Sequence, residues 1–154
     1  MINKKTILII GCFFFVAFCF PSEPAAQDQT KTIRWLKTAS DTEKIKFWTQ
    51  LSSEINKLYP MNVDSETLLI NSAPQANGMT WNYKTINYQY SDRSKKGWDD
   101  FLSVVANESI KRFCTTPDSL FFRESNASIK INYYDRDGKY IGVIQFEAGK
   151  DCAK

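Results

Sequence analysis

The chain has 154 residues, sets 20 Lys and Arg against 17 Asp and Glu, and contains no histidine. So even a charge balance, with no basic stripe along the sequence, speaks against nucleic-acid binding. The lack of histidine removes the commonest general base and the commonest metal ligand together, and with them every Ser-His-Asp, Cys-His and His-containing zinc arrangement.

The N-terminus reads as a targeting segment rather than as part of a fold. Lys4 and Lys5 precede a nearly unbroken apolar run from Thr6 to Phe20, and Pro21 to Ala26 are small or polar. A charged start, an apolar stretch and small residues, in that order, mark a secretory signal peptide. The run is shorter than the ~20 residues that a spanning helix needs. Residues 1–26 are therefore expected to be removed, with Ser22 and Ala25 as alternative cleavage points and an uncleaved membrane anchor as the competing reading. A lipid-attachment reading fits poorly, because bulky Phe18 precedes Cys19, and the apolar run continues well past Cys12. The rest of the chain is long enough for one domain with a real core and too short for two.

Removal of that segment leaves two cysteines, Cys114 and Cys152. In an exported chain the simplest expectation is one disulfide between them, with an intermolecular bond or two free thiols as the alternatives.

Residues 27–39 are polar around Ile33, Trp35 and Leu36 and read as a linker passing into a short helical turn. The domain proper is expected over residues 40–154. Ser40, three residues before Glu43, has the spacing of a capping box. Ile45, Trp48, Leu51, Ile55 and Leu58 then recur every three or four residues, predicting a helix from Asp41 to Leu58 that Pro60 terminates. Met61 to Asp64 is a connector. Glu66 to Ala73 and Met79 to Tyr90 read as two strands around an Asn77-Gly78 turn. The second strand changes parity after Tyr83: Met79, Trp81 and Tyr83 alternate one way, and Ile86, Tyr88 and Tyr90 the other. A period of two cannot slip by one without a bulge or bend, which is expected near Lys84-Thr85.

Trp98, Phe101, Leu102, Val105, Ile110 and Phe113 form the apolar stripe of a second helix over Trp98 to Phe113, with Asp99 and Asp100 in its first turn. Thr116 and Pro117 start a short helix reaching Glu124. Ala127 to Tyr134 and Tyr140 to Glu147 alternate as a second hairpin around Asp135 to Lys139. The last strand has apolar groups at both parities, which predicts a central strand or one covered on both faces. Together these elements predict an α+β fold: a four-stranded antiparallel sheet of two hairpins, packed against two amphipathic helices and closed by one disulfide.

No stretch carries a recognisable catalytic pattern. Asp135-Arg136-Asp137-Gly138 resembles the start of a calcium loop, but Ile144 stands where such a loop needs a bidentate Glu. Asp99, Asp100, Glu108 and Glu124 are the carboxylates that a small hydrolase would use. No cofactor or metal is expected. The aromatic residues of the strands, Trp81, Tyr83, Tyr88, Tyr90, Tyr134 and Tyr140, are the candidate binding surface. Tyr and Trp suit such contacts because they bring large area at small entropic cost.

The runs VDSETLLINSAPQANGMTWNY, FCTTPD and IKINYYDRDGKYIGVIQFEAGKDC resemble small exported bacterial proteins of unassigned function, with a Cys on either side of a final hairpin. The resemblance spans most of the chain after the targeting segment. It implies the Cys114–Cys152 disulfide and a periplasmic or secreted location, but no catalytic residue. The leading expectation is an envelope protein that binds a protein or glycan partner, as an inhibitor, exclusion factor or assembly accessory. A membrane-anchored accessory subunit and a carboxylate-dependent hydrolase are the alternatives.

Overall fold

The computed structural model describes residues 23–152. The apolar run of the targeting segment lies outside them. Its last residues, Glu23 to Ala26, begin the first helix, α1 (Glu23–Thr38). Residues 27–39, expected as a linker, are thus helical almost throughout. Leu36 fixes the position of α1 by inserting fully into the core, while Trp35 rests its ring 5.8 Å from that of Phe47.

α2 (Asp41–Ile55) starts at the expected capping box. The Ser40 hydroxyl accepts from the Glu43 N–H, and the Glu43 carboxylate accepts from the Ser40 N–H at 2.9 Å. The Ser40 hydroxyl and N–H hold the Glu43 carboxyl below its ordinary value. Trp48, Leu51 and Ile55 are buried as the periodicity requires. Leu58 is not: the α-helix ends at Ile55 and tightens into a 3₁₀ turn over Asn56–Leu58, which rotates Leu58 out to solvent.

The sheet has five strands in the order β1-β2-β3-β4-β5: β1 (Met61–Asn62), β2 (Thr67–Gln75), β3 (Gly78–Thr85), β4 (Ser128–Tyr134) and β5 (Tyr140–Glu147). This corrects the expectation of four antiparallel strands in two ways. The connector after Pro60 contributes a two-residue edge strand, Met61 opposite Leu69. More consequentially, the two hairpins meet through a parallel pair, with Gly78 opposite Ser128 and Lys84 opposite Tyr134. The reason is the crossover between them. α3 (Lys95–Thr115) and α4 (Leu120–Glu124) carry the chain back along the sheet, so β4 starts at the end where β3 started. Gly78 makes this seam close. A Cβ there would stand 1.9 Å from the Ser128 carbonyl oxygen, on a backbone with φ +150°. Asn77 extends the junction, its carbonyl accepting from Ser128 N–H at 2.7 Å.

The irregularities also differ from expectation. No bulge occurs at Lys84-Thr85; β3 ends there, and the change of parity marks the chain leaving the sheet. The register shifts instead between Leu69 and Asn71 in β2, and again where Tyr134 pairs with Tyr140 while Tyr133 pairs with Gly142. β5 is an edge strand rather than a central one.

α2 and α3 lie on the same face of the sheet, and their apolar stripes enter one core with Met79, Trp81, Tyr83, Ile129, Ile131 and Tyr133. α3 approaches β5 so closely that a Cβ on Gly142 would lie 2.3 Å from a Leu102 methyl. Ser94 caps α3, which therefore begins three residues before Trp98. Asp99 and Asp100 consequently fall in its second turn, where they pair with Lys95 and Lys96 at 2.8 Å. The helix ends at the disulfide: Cys114 is bonded to Cys152, just after the short helix α5 (Ala148–Asp151).

Candidate functional site

The six aromatic residues expected to share a binding surface are divided among three places. Trp81 and Tyr83 point into the core face and are each 3% exposed. Alternation along β3 puts them under the helices, because the apolar parity must be the covered one. Tyr88 and Tyr90 lie beyond the end of β3. There Arg93 stands 5.4 Å from the Tyr88 ring, and Tyr90 stacks on Trp98 at 6.2 Å beneath the Lys139 ammonium. Only Tyr134 and Tyr140 are on the opposite, uncovered face of the sheet. They pair across the strands with ring centroids 5.7 Å apart. Tyr140 arrives there through the bulge: the extra residue, Ile141, reverses its parity relative to Ile144 and Phe146.

Around this pair the uncovered face is polar and regular. Asn71, Asn82 and Asn132 are cross-strand neighbours on β2, β3 and β4. Asn132 Nδ2 donates to Asn82 Oδ1 at 2.8 Å, and Asn82 Nδ2 donates to Asn71 Oδ1. With strands ~4.8 Å apart, this amide ladder spans ~10 Å of the face. Val143, opposite Asn132, continues the row onto β5 and is 43% exposed. Lys84 and Lys130 occupy the same face, on either side of the row. The sequence shows each asparagine only as a polar partner in an alternating run. The register that aligns them is a property of the folded sheet.

On the core face, a cleft of about 380 Å³ opens between α3 and the chain before β2. Trp81, Tyr83, Tyr133, Phe113 and Phe122 line it, with Val104, Glu108 and Arg112 of α3 and Asp64 opposite. Burial pushes the Tyr83 and Tyr133 phenols upward, so both stay neutral across the physiological range.

The four carboxylates considered for hydrolysis are not brought together as a pair. Asp99 and Asp100 are salt-bridged on exposed α3 and, as adjacent helical residues, point apart. Glu124 pairs with Lys37, and Glu108 stands alone of the four at the cleft. Among the described residues, no group of three or more His, Cys, Asp or Glu is placed to hold a metal ion.

The Asp135–Lys139 segment is a tight turn with a role the sequence did not disclose. Asp135 is buried and accepts from the N–H groups of Asp137, Lys139 and, across 45 residues, Tyr90. Desolvation raises its pKa, but these three N–H donors and the Lys139 charge outweigh it, and the carboxyl is held below its ordinary value. The turn is thereby tied to the segment carrying Tyr88 and Tyr90.

No protein-family model matches the chain, and no curated protein matches its sequence. Its fold is similar to that of PA3611, a presumed secreted protein of Pseudomonas aeruginosa known from a crystal structure. The TM-score is 0.58 over 74% of this chain and 98% of that one, at 14% sequence identity. A likeness at that identity is one of fold and assigns no site.

Proposed function

We propose that this chain is an exported bacterial envelope protein that works by binding a partner on the uncovered face of its sheet, not by catalysis. The observation that carries the reading is the face itself. Both long helices that pack on the sheet cover one side, and the other side presents an aligned amide ladder beside an exposed tyrosine pair. The cross-strand amide bonds add to the stability of the sheet, and the same row leaves further donors and acceptors turned to solvent. Export is supported by the charged, apolar and small-residue order of the N-terminus, by the disulfide and by the fold shared with a presumed secreted protein. Among the described residues, no helix is long and apolar enough to cross a membrane.

The test is site-specific photocrosslinking in the producing cell. A photoreactive side chain at Val143, on the uncovered face, is expected to crosslink, giving a discrete band with a protein partner or, with a glycan, a ladder that a glycan-cleaving enzyme collapses. One at Leu58, comparably exposed at 50% but on the helical side, is expected to give neither. Equal labelling from the two positions, or none from either, would overturn the assignment of the contact face.

A further inference from the structure

The ladder amides retain hydrogen-bonding capacity that the fold does not use. An asparagine side chain offers two N–H donors and two carbonyl lone pairs. Asn82 uses one donor and one lone pair on its two neighbours, and each end of the ladder keeps more. The chain of amide bonds turns the three side chains the same way along the row, each bonded carbonyl facing a neighbour's N–H. The spare donors and acceptors are thus held along the row before any ligand arrives, which lowers the entropic cost of binding.

Two cations bracket this row. Lys84 lies two residues beyond Asn82 on β3, and Lys130 two residues before Asn132 on β4. Four residue steps, ~13 Å, separate them along the sheet. Neither forms an ion pair among the described residues, and the acid of β5 on this face, Glu147, is paired with Lys150 at 2.6 Å. The exposed large apolar groups here are Tyr140 and Val143, at one side of the row, while Leu68 opposite Lys84 and Tyr134 are half-buried. A protein–protein interface centres on an apolar core, whereas this face centres on amides.

We propose that the uncovered face binds a carboxylate-bearing, N-acetylated glycan strand of the cell envelope. Sugar rings would lie on the Tyr134–Tyr140 pair, hydroxyl and acetamido groups on the amide row, and carboxylates against Lys84 and Lys130. The inference rests on the contact face assigned above and names its ligand class.

The experiment titrates the protein, purified from producing cells, with three probes. The first is cell-wall glycan freed of peptide, in which N-acetylated sugars alternate with N-acetylated sugars carrying a free carboxylate. The second is the neutral hexamer of N-acetylglucosamine, and the third is polyglutamate. The acidic glycan is expected to bind at least tenfold more tightly than the neutral hexamer. The variant K84E/K130E, with an unchanged near-ultraviolet circular dichroism spectrum, should lose that advantage while binding the neutral hexamer within twofold of the parent. Y140A should weaken both sugars. Equal affinity for the two sugars, an unaffected K84E/K130E variant, polyglutamate binding as tight as the glycan, or no sugar binding would each overturn the proposal. A protein adduct from Val143 with no sugar binding would leave the contact face standing and remove only the glycan. Absence of both the adduct and sugar binding would remove the two together.

Discussion

Asn56 stands where α2 meets the outer edge of β2, and its replacement by alanine tests how the helix is fastened to the sheet. β1 is only two residues long and pairs with Leu68 and Leu69, so Ser72 lies beyond its reach. Asn56 fills in for the missing strand. Its Oδ1 accepts from the Ser72 N–H at 2.7 Å, and its Nδ2 donates to the Ser72 carbonyl at 2.9 Å. The Ser52 hydroxyl donates to the same carbonyl at 3.0 Å. In Asn56→Ala the carbonyl therefore keeps a partner, and the buried Ser72 N–H alone is orphaned. One unsatisfied buried donor costs ~1–3 kcal/mol, which sets an expectation of about 2 kcal/mol. With a urea slope of ~2 kcal/mol/M, the unfolding midpoint should fall by about 1 M. Adding Ser52→Ala removes the last partner of the carbonyl, so the double variant should lose about 1 kcal/mol more than the sum of the single losses. Urea unfolding of all four proteins, with hydrogen exchange at the Ser72 amide, measures this. A single-variant loss below ~0.5 kcal/mol with Ser72 exchange unchanged, or strict additivity, would refute the reasoning.

Reducing and alkylating Cys114 and Cys152, which stand 38 residues apart, should cost up to about 4 kcal/mol by the loop-entropy estimate, read as a lowered urea midpoint. Asp135→Asn should keep the turn but set an amide against one of its N–H donors, at a cost of about 1–2 kcal/mol, with faster hydrogen exchange at Tyr90. Because the folded pKa of Asp135 is depressed, its contribution is complete above the ordinary aspartate value of 3.8 and is lost as pH falls through the folded value. Acid unfolding of the Asn variant should therefore be less steep than that of the parent over that window. Gly78→Ala should cost about 3 kcal/mol, because the new methyl meets the Ser128 backbone and cannot be relieved by a rotamer change. An unchanged melting temperature would show that the parallel seam yields easily.

Both hairpins, the capping box at Ser40 and the cysteine pair are legible in the sequence because each rests on spacing within a few residues or on simple elimination. The parallel seam is not. Alternation tells which side chains face the core, but it is silent on which strand lies alongside. The length of the crossover from Ile86 to Ala127 is the available clue, since a 21-residue helix is long enough to return the chain to the starting end of the sheet. The face that Tyr140 occupies is hidden for a similar reason. One extra residue at Ile141 reverses parity, and nothing in YIGVIQFE marks the bulge except Gly142. Residue type groups Trp81 and Tyr83 with the surface tyrosines, whereas their parity with Met79 assigns them to the core. α1 is hard to detect because, among its described side chains, Leu36 is fully buried with only Ile33 packing on the core beside it, too few to show as a stripe.

The bond between Cys114 and Cys152 closes a covalent ring that contains α4, β4 and β5, and so two of the strands bearing the amide and tyrosine groups of the uncovered face, together with Lys130. A protease that cuts once within that ring, at the exposed Arg136–Lys139 turn for example, produces two pieces that remain joined. The severed ends stay beside one another, and the local concentration favouring their re-pairing stays high. Wherever the disulfide stays oxidised, the face would outlast its own backbone connectivity until a reductant opened the ring.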